Sequence, residues 1–239
     1  MDLLFPSLSE EALSAIVGDI NSTGFGVAKN AFNREALAEL QSQIEKTVAQ
    51  GGSEYVVFTG REAIENPSLR NLSSSGEFVR ACQRIYEIGT GAMAPASPFY
   101  QVLRCLAGNS GEKHSFIFHY DSYVLTALVP IIIPTQGQSG DLLMLPNSRP
   151  LRRSYSRNLV DKILLDNKLS QYLLRRLIGS GRLRPTRVRM TPGDVYFFWG
   201  SRSIHANEPC GPDKIRATAL FHYVDPHADS SLRKILGRA

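Results

Sequence analysis

Apolar residues follow two different spacings along the chain. Up to about residue 95 they recur three and four positions apart, as on one face of a helix. In "SEEALSAIVGDINSTG" a serine stands where an N-cap belongs and Gly24 where the helix should end. In "NREALAELQSQIEKTVAQGG" the residues Leu37, Leu40 and Ile44 share a face, and Gly51 stops the run. "FGVAKN" and "YVVF" read as short strands, and "GEFVRACQRIYEIG" as a third helix. From residue 96 the texture becomes β-rich: "SPFYQVLRCLAG", "HSFIFHYDSYVLTALVPIIIP", "GDLLMLP", "RVRMTPGDVYFFWG" and "KIRATALFHYVD", with Gly, Pro, Asn and Asp at the joints. One helical stretch interrupts them, "NLVDKILLDNKLSQYLLRRLIG", where Val160, Ile163 and Leu164 start a stripe that Leu174 and Ile178 continue. The pattern predicts a mainly β chain with flanking helices, and strands without regularly alternating helices predict an antiparallel sandwich or barrel. We expect one domain over 1–239, with a helical buttress at 1–95 and a β core at 96–239 that carries a helical insert at about 147–189.

Charge sharpens one part of this picture. The chain of 239 residues carries a net +5, unevenly spread. Arg149 to Arg189 holds twelve Lys or Arg against Asp161 and Asp166, so that segment is +10 and the remainder −5. A segment of one sign points to an anionic partner such as a phosphorylated or carrier-linked substrate, a lipid head group or nucleic acid; the plainer alternative is a solvated basic helix. The N-terminus lacks the basic start and apolar core of a secretory signal. The longest apolar run, "YVLTALVPIII", is shorter than the ~20 residues a membrane span needs. Cys82, Cys105 and Cys210 have no paired spacing and read as free thiols. The expected location is therefore cytoplasmic.

The polar residues inside "SFIFHYDSYVLTALVPIII" carry the chemistry. On a strand, His119 and Asp121 point to the same face, and an unpaired carboxylate facing a core is costly. The pair could be a structural hydrogen bond, an acid–base pair, or two ligands of a metal. Downstream, "TPGDVYFFWGSRSIHANEP" delivers His205, and Arg216 follows eleven residues later. Two histidines and one carboxylate make the facial triad of non-haem Fe(II) oxygenases, which leaves coordination positions open for a 2-oxo acid and O2. A strand-borne arginine suits the far carboxylate of such a cosubstrate.

Most of the chain resembles the Fe(II)/2-oxoglutarate-dependent dioxygenases, in particular the phytanoyl-CoA dioxygenase-like branch. "AIVGDINSTGFGVAKNAFNREALAELQSQIEK" is similar to that branch's opening helix, strand and helix; "HYD" and "GDVYFFWGSRSIHANEP" match its ligand-bearing segments. "SGDLLMLPNSR" departs from its Pro-Gly-Ser-His ending, with Asn147 and Arg149 in place of Gly and His. The resemblance implies a double-stranded β-helix (a cupin-like jelly roll) with N-terminal helices. It implies Fe(II), 2-oxoglutarate and O2 as cofactors, with His119, Asp121 and His205 as iron ligands and Arg216 on 2-oxoglutarate. Asn207, Gln101 and Arg104 are further candidates for the cosubstrate. Arg175 and Arg176 of the insert, Trp199 and His222 are candidates for the substrate. The implied activity is hydroxylation of an unactivated C–H in a small molecule, or in an anionic, carrier-linked or lipid-linked one. The place of the insert between the segments of Asp121 and His205, and its charge, lead us to expect a lid across the pocket mouth whose arginines dock an anionic part of the substrate. Nucleic acid is not an expected partner; peripheral contact with a membrane is admitted. A metal-assisted hydrolase and a non-catalytic jelly-roll binding protein are the alternatives.

Overall fold

In the computed structural model, residues 3–61, 64 and 66–235 are described. The order is α1 (Glu10–Thr23), β1 (Gly26–Ala28), α2 (Arg34–Gln50), β2 (Val56–Thr59), α3 (Pro67–Leu72), α4 (Gly76–Thr90), β3 (Tyr100–Leu106), α5 (Gly108–Lys113), β4 (Leu125–Ile132) and β5 (Leu142–Leu145). The insert helices α6 (Tyr155–Asp166) and α7 (Lys168–Gly179) follow, then β6 (Thr186–Val188), β7 (Val195–Phe198), β8 (Ile204–Asn207), β9 (Arg216–Tyr223) and α8 (Ser231–Ile235). Ser9 and Asn33 cap α1 and α2 by accepting hydrogen bonds from the backbone N–H of Ala12 and Ala36.

The strands form two antiparallel sheets. The larger runs β1-β7-β4-β9-β3-β2, so both short N-terminal strands complete its edges; the smaller runs β6-β5-β8. Strand alternation sorts residues into layers. Leu125, Ala127, Val129 and Ile131 of β4, with Ala217, Ala219, Phe221 and Tyr223 of β9, pack under the N-terminal helices, against Leu13, Leu40, Phe78 and Ile85. The opposite face faces the small sheet, where Leu128, Tyr196 and Phe198 meet Leu142, Met144 and Val188. On the far side of the small sheet, Phe118, Leu143 and Ala206 are covered by Leu165, Leu174 and Ile178 of the insert. The order is thus helices, large sheet, small sheet, insert: a double-stranded β-helix with helical covers. Each fully buried Leu or Phe at these layers contributes ~1.5–3 kcal/mol.

Three sequence expectations change. The stretch 115–133 is not one strand. His119 forms an isolated bridge to His205 beside the small sheet, and the chain then crosses to the large sheet, where β4 begins at Leu125. The helical run 158–179 is two helices broken at Asn167, whose extended backbone ends α6 and whose side chain caps α7 at Ser170 N. The stripe read across them is two faces: Leu174 and Ile178 pack inward, whereas Val160, Ile163 and Leu164 are exposed.

Candidate metal centre

The crossing point between the sheets is where the polar residues meet. His119 and His205 exchange two backbone hydrogen bonds, N to O at 3.0 and 3.1 Å. Such a directly opposed pair puts both imidazoles on the inner face, with ring centroids 4.4 Å apart. Asp121 N donates to Gly200 O at 3.0 Å, which aims its carboxylate back at the pair. Asp121 Oδ1 lies 3.4 Å from His205 Nε2 and 3.7 Å from His119 Nε2. The donor atoms of all three residues lie within 4.8 Å of one another.

Hydrogen bonds outside the trio orient it. His119 Nδ1 meets Ile117 O at 2.9 Å, and His205 Nδ1 meets Ser203 O at 3.0 Å. A carbonyl accepts only, so both Nδ1 atoms carry the proton and both Nε2 lone pairs turn toward Asp121. Asp121 Oδ2 accepts from Thr126 Oγ1 at 2.6 Å, and Thr126 Oγ1 lies 3.0 Å from His222 Nδ1. The hydroxyl has one proton and gives it to Asp121, so His222 donates to the hydroxyl. Gly200 makes room for this: a Cβ there would stand 2.2 Å from Asp121 Oδ2 and 2.6 Å from Thr126 Oγ1.

Electrostatics follow from this crowding. Burial resists ionisation of Asp121, but the surrounding His205, His222 and His119 together hold its carboxyl well below the usual range. Burial also opposes the charged form of His205, yet Asp121 outweighs it and the pKa rises. Desolvation, then His205, lowers that of His119; with 38% of its side chain open to water, His119 marks the mouth of the site. Burial lowers His222 as well.

A cavity runs inward from the trio, lined by Arg104, Phe198, Asn207, Arg216, Thr218 and Leu220. Arg216 is 3% exposed; among the described residues its Nη1 reaches only Thr218 Oγ1, at 3.4 Å, and its Nε has no partner. Burial, then Arg104, pushes its pKa down to about 10. Arg104 donates from Nη2 to His114 O at 2.7 Å, and its Nε too is unpartnered. Neither guanidinium has a carboxylate within ion-pair distance among the described residues. A buried cation and a half-buried one lining a cavity without a carboxylate partner among the described residues fit a bound anion. Gly140, in the left-handed region at φ 69, lets the Arg216 stem pass, since a Cβ would lie 2.4 Å from its Cδ.

The remaining candidates divide by strand parity. Asn207 lines the cavity, and its Nδ2 donates to Glu208 O at 3.1 Å. Gln101, three residues from Arg104, falls on the opposite face of β3 with Leu103 and Cys105 and donates to Ser73 Oγ at 2.7 Å under the helices. It is therefore not placed to touch a cosubstrate. Trp199 is 0% exposed, part of the helix-side core, and donates to Asn21 Oδ1 at 2.9 Å. It packs; it does not cover the site. His222 does face the trio, through Thr126, and stacks on Tyr123 and Tyr100 at 5.2 and 6.1 Å.

Arg175 and Arg176 lie away from the mouth. Along the His119 segment, Phe116, Phe118 and Tyr120 alternate with the ligands and form the outer face that α7 covers. Arg175 Nε donates to Phe116 O at 3.1 Å, and Arg176 Nη1 to Tyr172 Oη at 3.2 Å. α7 thus backs the small sheet and does not roof the pocket. A cation of α6 does reach toward the trio: Lys162, half-buried, whose Nζ donates to Ser122 Oγ at 2.8 Å beside Asp121. Thr126, Gly200, Gly140 and Lys162 escaped the sequence reading. Only the parity of Thr126 relative to the ligands, once the strand break is known, could have signalled any of them.

No protein-family model and no curated protein matches the chain. Solved structures do. A prolyl hydroxylase from Trichoplax adhaerens, in complex with a hypoxia inducible factor oxygen degradation domain peptide fragment, is 15% identical with a TM-score of 0.61, covering 93% of this chain and 94% of its own. HygX from Streptomyces hygroscopicus, with nickel and 2-oxoglutarate bound, is 14% identical with a TM-score of 0.58, covering 91% and 87%. SnoK, a non-heme alpha ketoglutarate dependent carbocyclase from nogalamycin biosynthesis, is 17% identical with a TM-score of 0.55, covering 98% and 94%. The chain has the fold of the Fe(II)/2-oxoglutarate oxygenases, with a His–Asp–His donor set gathered where its two sheets meet.

Proposed function

We propose that the protein is an Fe(II)/2-oxoglutarate-dependent oxygenase that hydroxylates an unactivated C–H of a small anionic or carrier-linked molecule. One observation carries the reading: a three-donor trio with both Nε2 lone pairs converging, facing a buried, counter-ion-free Arg216 across one cavity. His119, Asp121 and His205 would hold the metal on one side, leaving the rest of its coordination sphere to ligands. When bound, iron supplies O2 activation coupled to decarboxylation of 2-oxoglutarate. Arg216 binds the distal carboxylate of 2-oxoglutarate, with Arg104 adding positive potential and Asn207 a polar contact. Thr126 and His222 fix the angle of Asp121. Phe198, Leu128 and Leu220 keep the cavity dry, which protects a reactive centre from water. Lys162 at the mouth supports an anionic substrate, in the role first expected of Arg175 and Arg176. The branch assignment rests on the sequence motifs alone.

The test is succinate formation from 2-oxoglutarate by purified protein. It should require Fe(II) and O2 together, and His205→Ala should abolish it while the circular dichroism spectrum stays that of the wild type. Hydrolysis without O2 would favour a metal-assisted hydrolase. Cosubstrate binding with no turnover on any substrate would favour a binding protein.

A further inference from the structure

The outward face of the insert is apolar where a solvated helix would be polar. Of the fifteen exposed large apolar side chains among the described residues, seven fall between 160 and 177, at 37–66% exposure. Val160, Ile163 and Leu164 lie on α6; Leu169, Tyr172, Leu173 and Leu177 lie on α7. Leu169, Leu173 and Leu177 are spaced i, i+4, i+8, one stripe turned away from the face that carries Leu174 and Ile178. The hairpin is thus apolar on two sides, and the protein covers only one of them.

Exposed cations accompany the uncovered side: Arg153, Arg157, Lys168, Arg176, Arg182 and Arg184 outnumber the two carboxylates of the insert, of which Asp161 is taken by Arg149 and Arg152, and Arg176 and Arg182 border Leu173 and Leu177. Aliphatic ridges flanked by exposed basic side chains in excess of carboxylates are what an anionic bilayer surface attracts: the leucines enter the acyl boundary and the guanidinium groups meet lipid phosphates. Pairing with a second copy of the chain is disfavoured, since a two-fold contact through this face would set one +10 segment against another. We propose that the outer face of α6–α7 docks on the surface of a membrane rich in anionic lipid. No described helix is long and apolar enough to cross one, so the contact is peripheral.

The experiment is sedimentation of the full chain with phosphatidylcholine vesicles, with and without about one third phosphatidylglycerol. Binding is expected only when phosphatidylglycerol is present, and should weaken as salt is raised. The pair Leu169→Ser and Leu173→Ser should lower the bound fraction roughly tenfold or more. The pair Arg176→Glu and Arg182→Glu should do so independently at low salt, which keeps the test decisive if either variant folds poorly by circular dichroism. Absence of binding to phosphatidylglycerol vesicles, or binding that neither pair changes, overturns the proposal. So does a dimer in sedimentation velocity that the leucine variants dissolve, which would assign the face to a second copy.

Discussion

Thr126 is the residue on which the candidate metal site turns, although it is not one of the three donors. Its single proton goes to Asp121 Oδ2 and its lone pair accepts from His222, so one hydroxyl fixes both a carboxylate and an imidazole. Thr126→Val keeps the shape and removes the link. We expect metal affinity, measured by calorimetry with Mn(II), to fall roughly 10–100-fold, with the fold retained. Wild-type affinity would mean the hydroxyl only fills space. In the proposed function Arg216 has the matching role for the cosubstrate. Arg216→Lys replaces a two-pronged fork with a point charge, and losing one charge-assisted hydrogen bond costs about 1.5–3 kcal/mol. The KM for 2-oxoglutarate should rise roughly ten- to hundredfold; an unchanged value would assign the carboxylate to Arg104. His119, Asp121, His205 and Arg216 were nominated from their spacing, because each is a charged or ligating residue in an apolar run, and the fold gathers the three donors beside the cavity that Arg216 lines. Thr126 was not, because a threonine in a strand is ordinary until its neighbour across the crossing is known.

Among the elements, the insert departs most from what its sequence suggested. Arg149, standing where the family resemblance has a histidine, is its anchor. It donates to Ser201 O at 2.7 Å, Asn158 Oδ1 at 2.8 Å and Asp161 Oδ2 at 2.9 Å, and its guanidinium lies 3.7 Å over the Tyr120 ring. Arg149→Met leaves those acceptors partly unpaired and should destabilise the insert by about 1–3 kcal/mol. Faster proteolysis within 150–180, with the β core intact, is the expected readout. Acidity should act in the same direction. Burial opposes the ionisation of Asp161, but the hydrogen bonds from Arg152 and Arg149 prevail and lower its pKa. A lowered native pKa stabilises above the unfolded value, and that stabilisation is lost as pH falls through the native one. Hydrogen-exchange protection factors in α6 should therefore fall on acidification, and Asp161→Asn should remove that dependence.

For the whole molecule, the site joins the two sheets, so a ligand that bridges them should stabilise the entire fold. His119, Asp121 and His205 sit at the crossing, while Arg104 and Arg216 belong to the large sheet. A ligand at a hundredfold excess over its Kd adds about 2.7 kcal/mol, which for a chain of this size is roughly 5–10 °C in Tm. Mn(II) should raise Tm alone, and 2-oxoglutarate should add to it only when Mn(II) is present. Additive shifts from the two ligands in the Arg216→Lys variant would contradict one shared cavity.

Local periodicity and polar residues out of place were enough to read the β core behind N-terminal helices and the basic insert, and to nominate the three donors that the fold gathers and the arginine that lines the cavity beside them. Tertiary structure decided which surface each face meets. Strand parity alone separates Arg104 in the cavity from Gln101 under the helices, yet parity has no origin until β3 pairs with β9. The insert has two apolar faces, and only docking of Leu165, Leu174 and Ile178 on Phe118, Leu143 and Ala206 decides which is buried. That choice moves Arg175 and Arg176 behind the small sheet and brings Lys162 to the mouth. Hydrophobic pattern records that a face avoids water; the partner it finds depends on hydrogen bonds between residues far apart in the chain, such as those of His119 with His205.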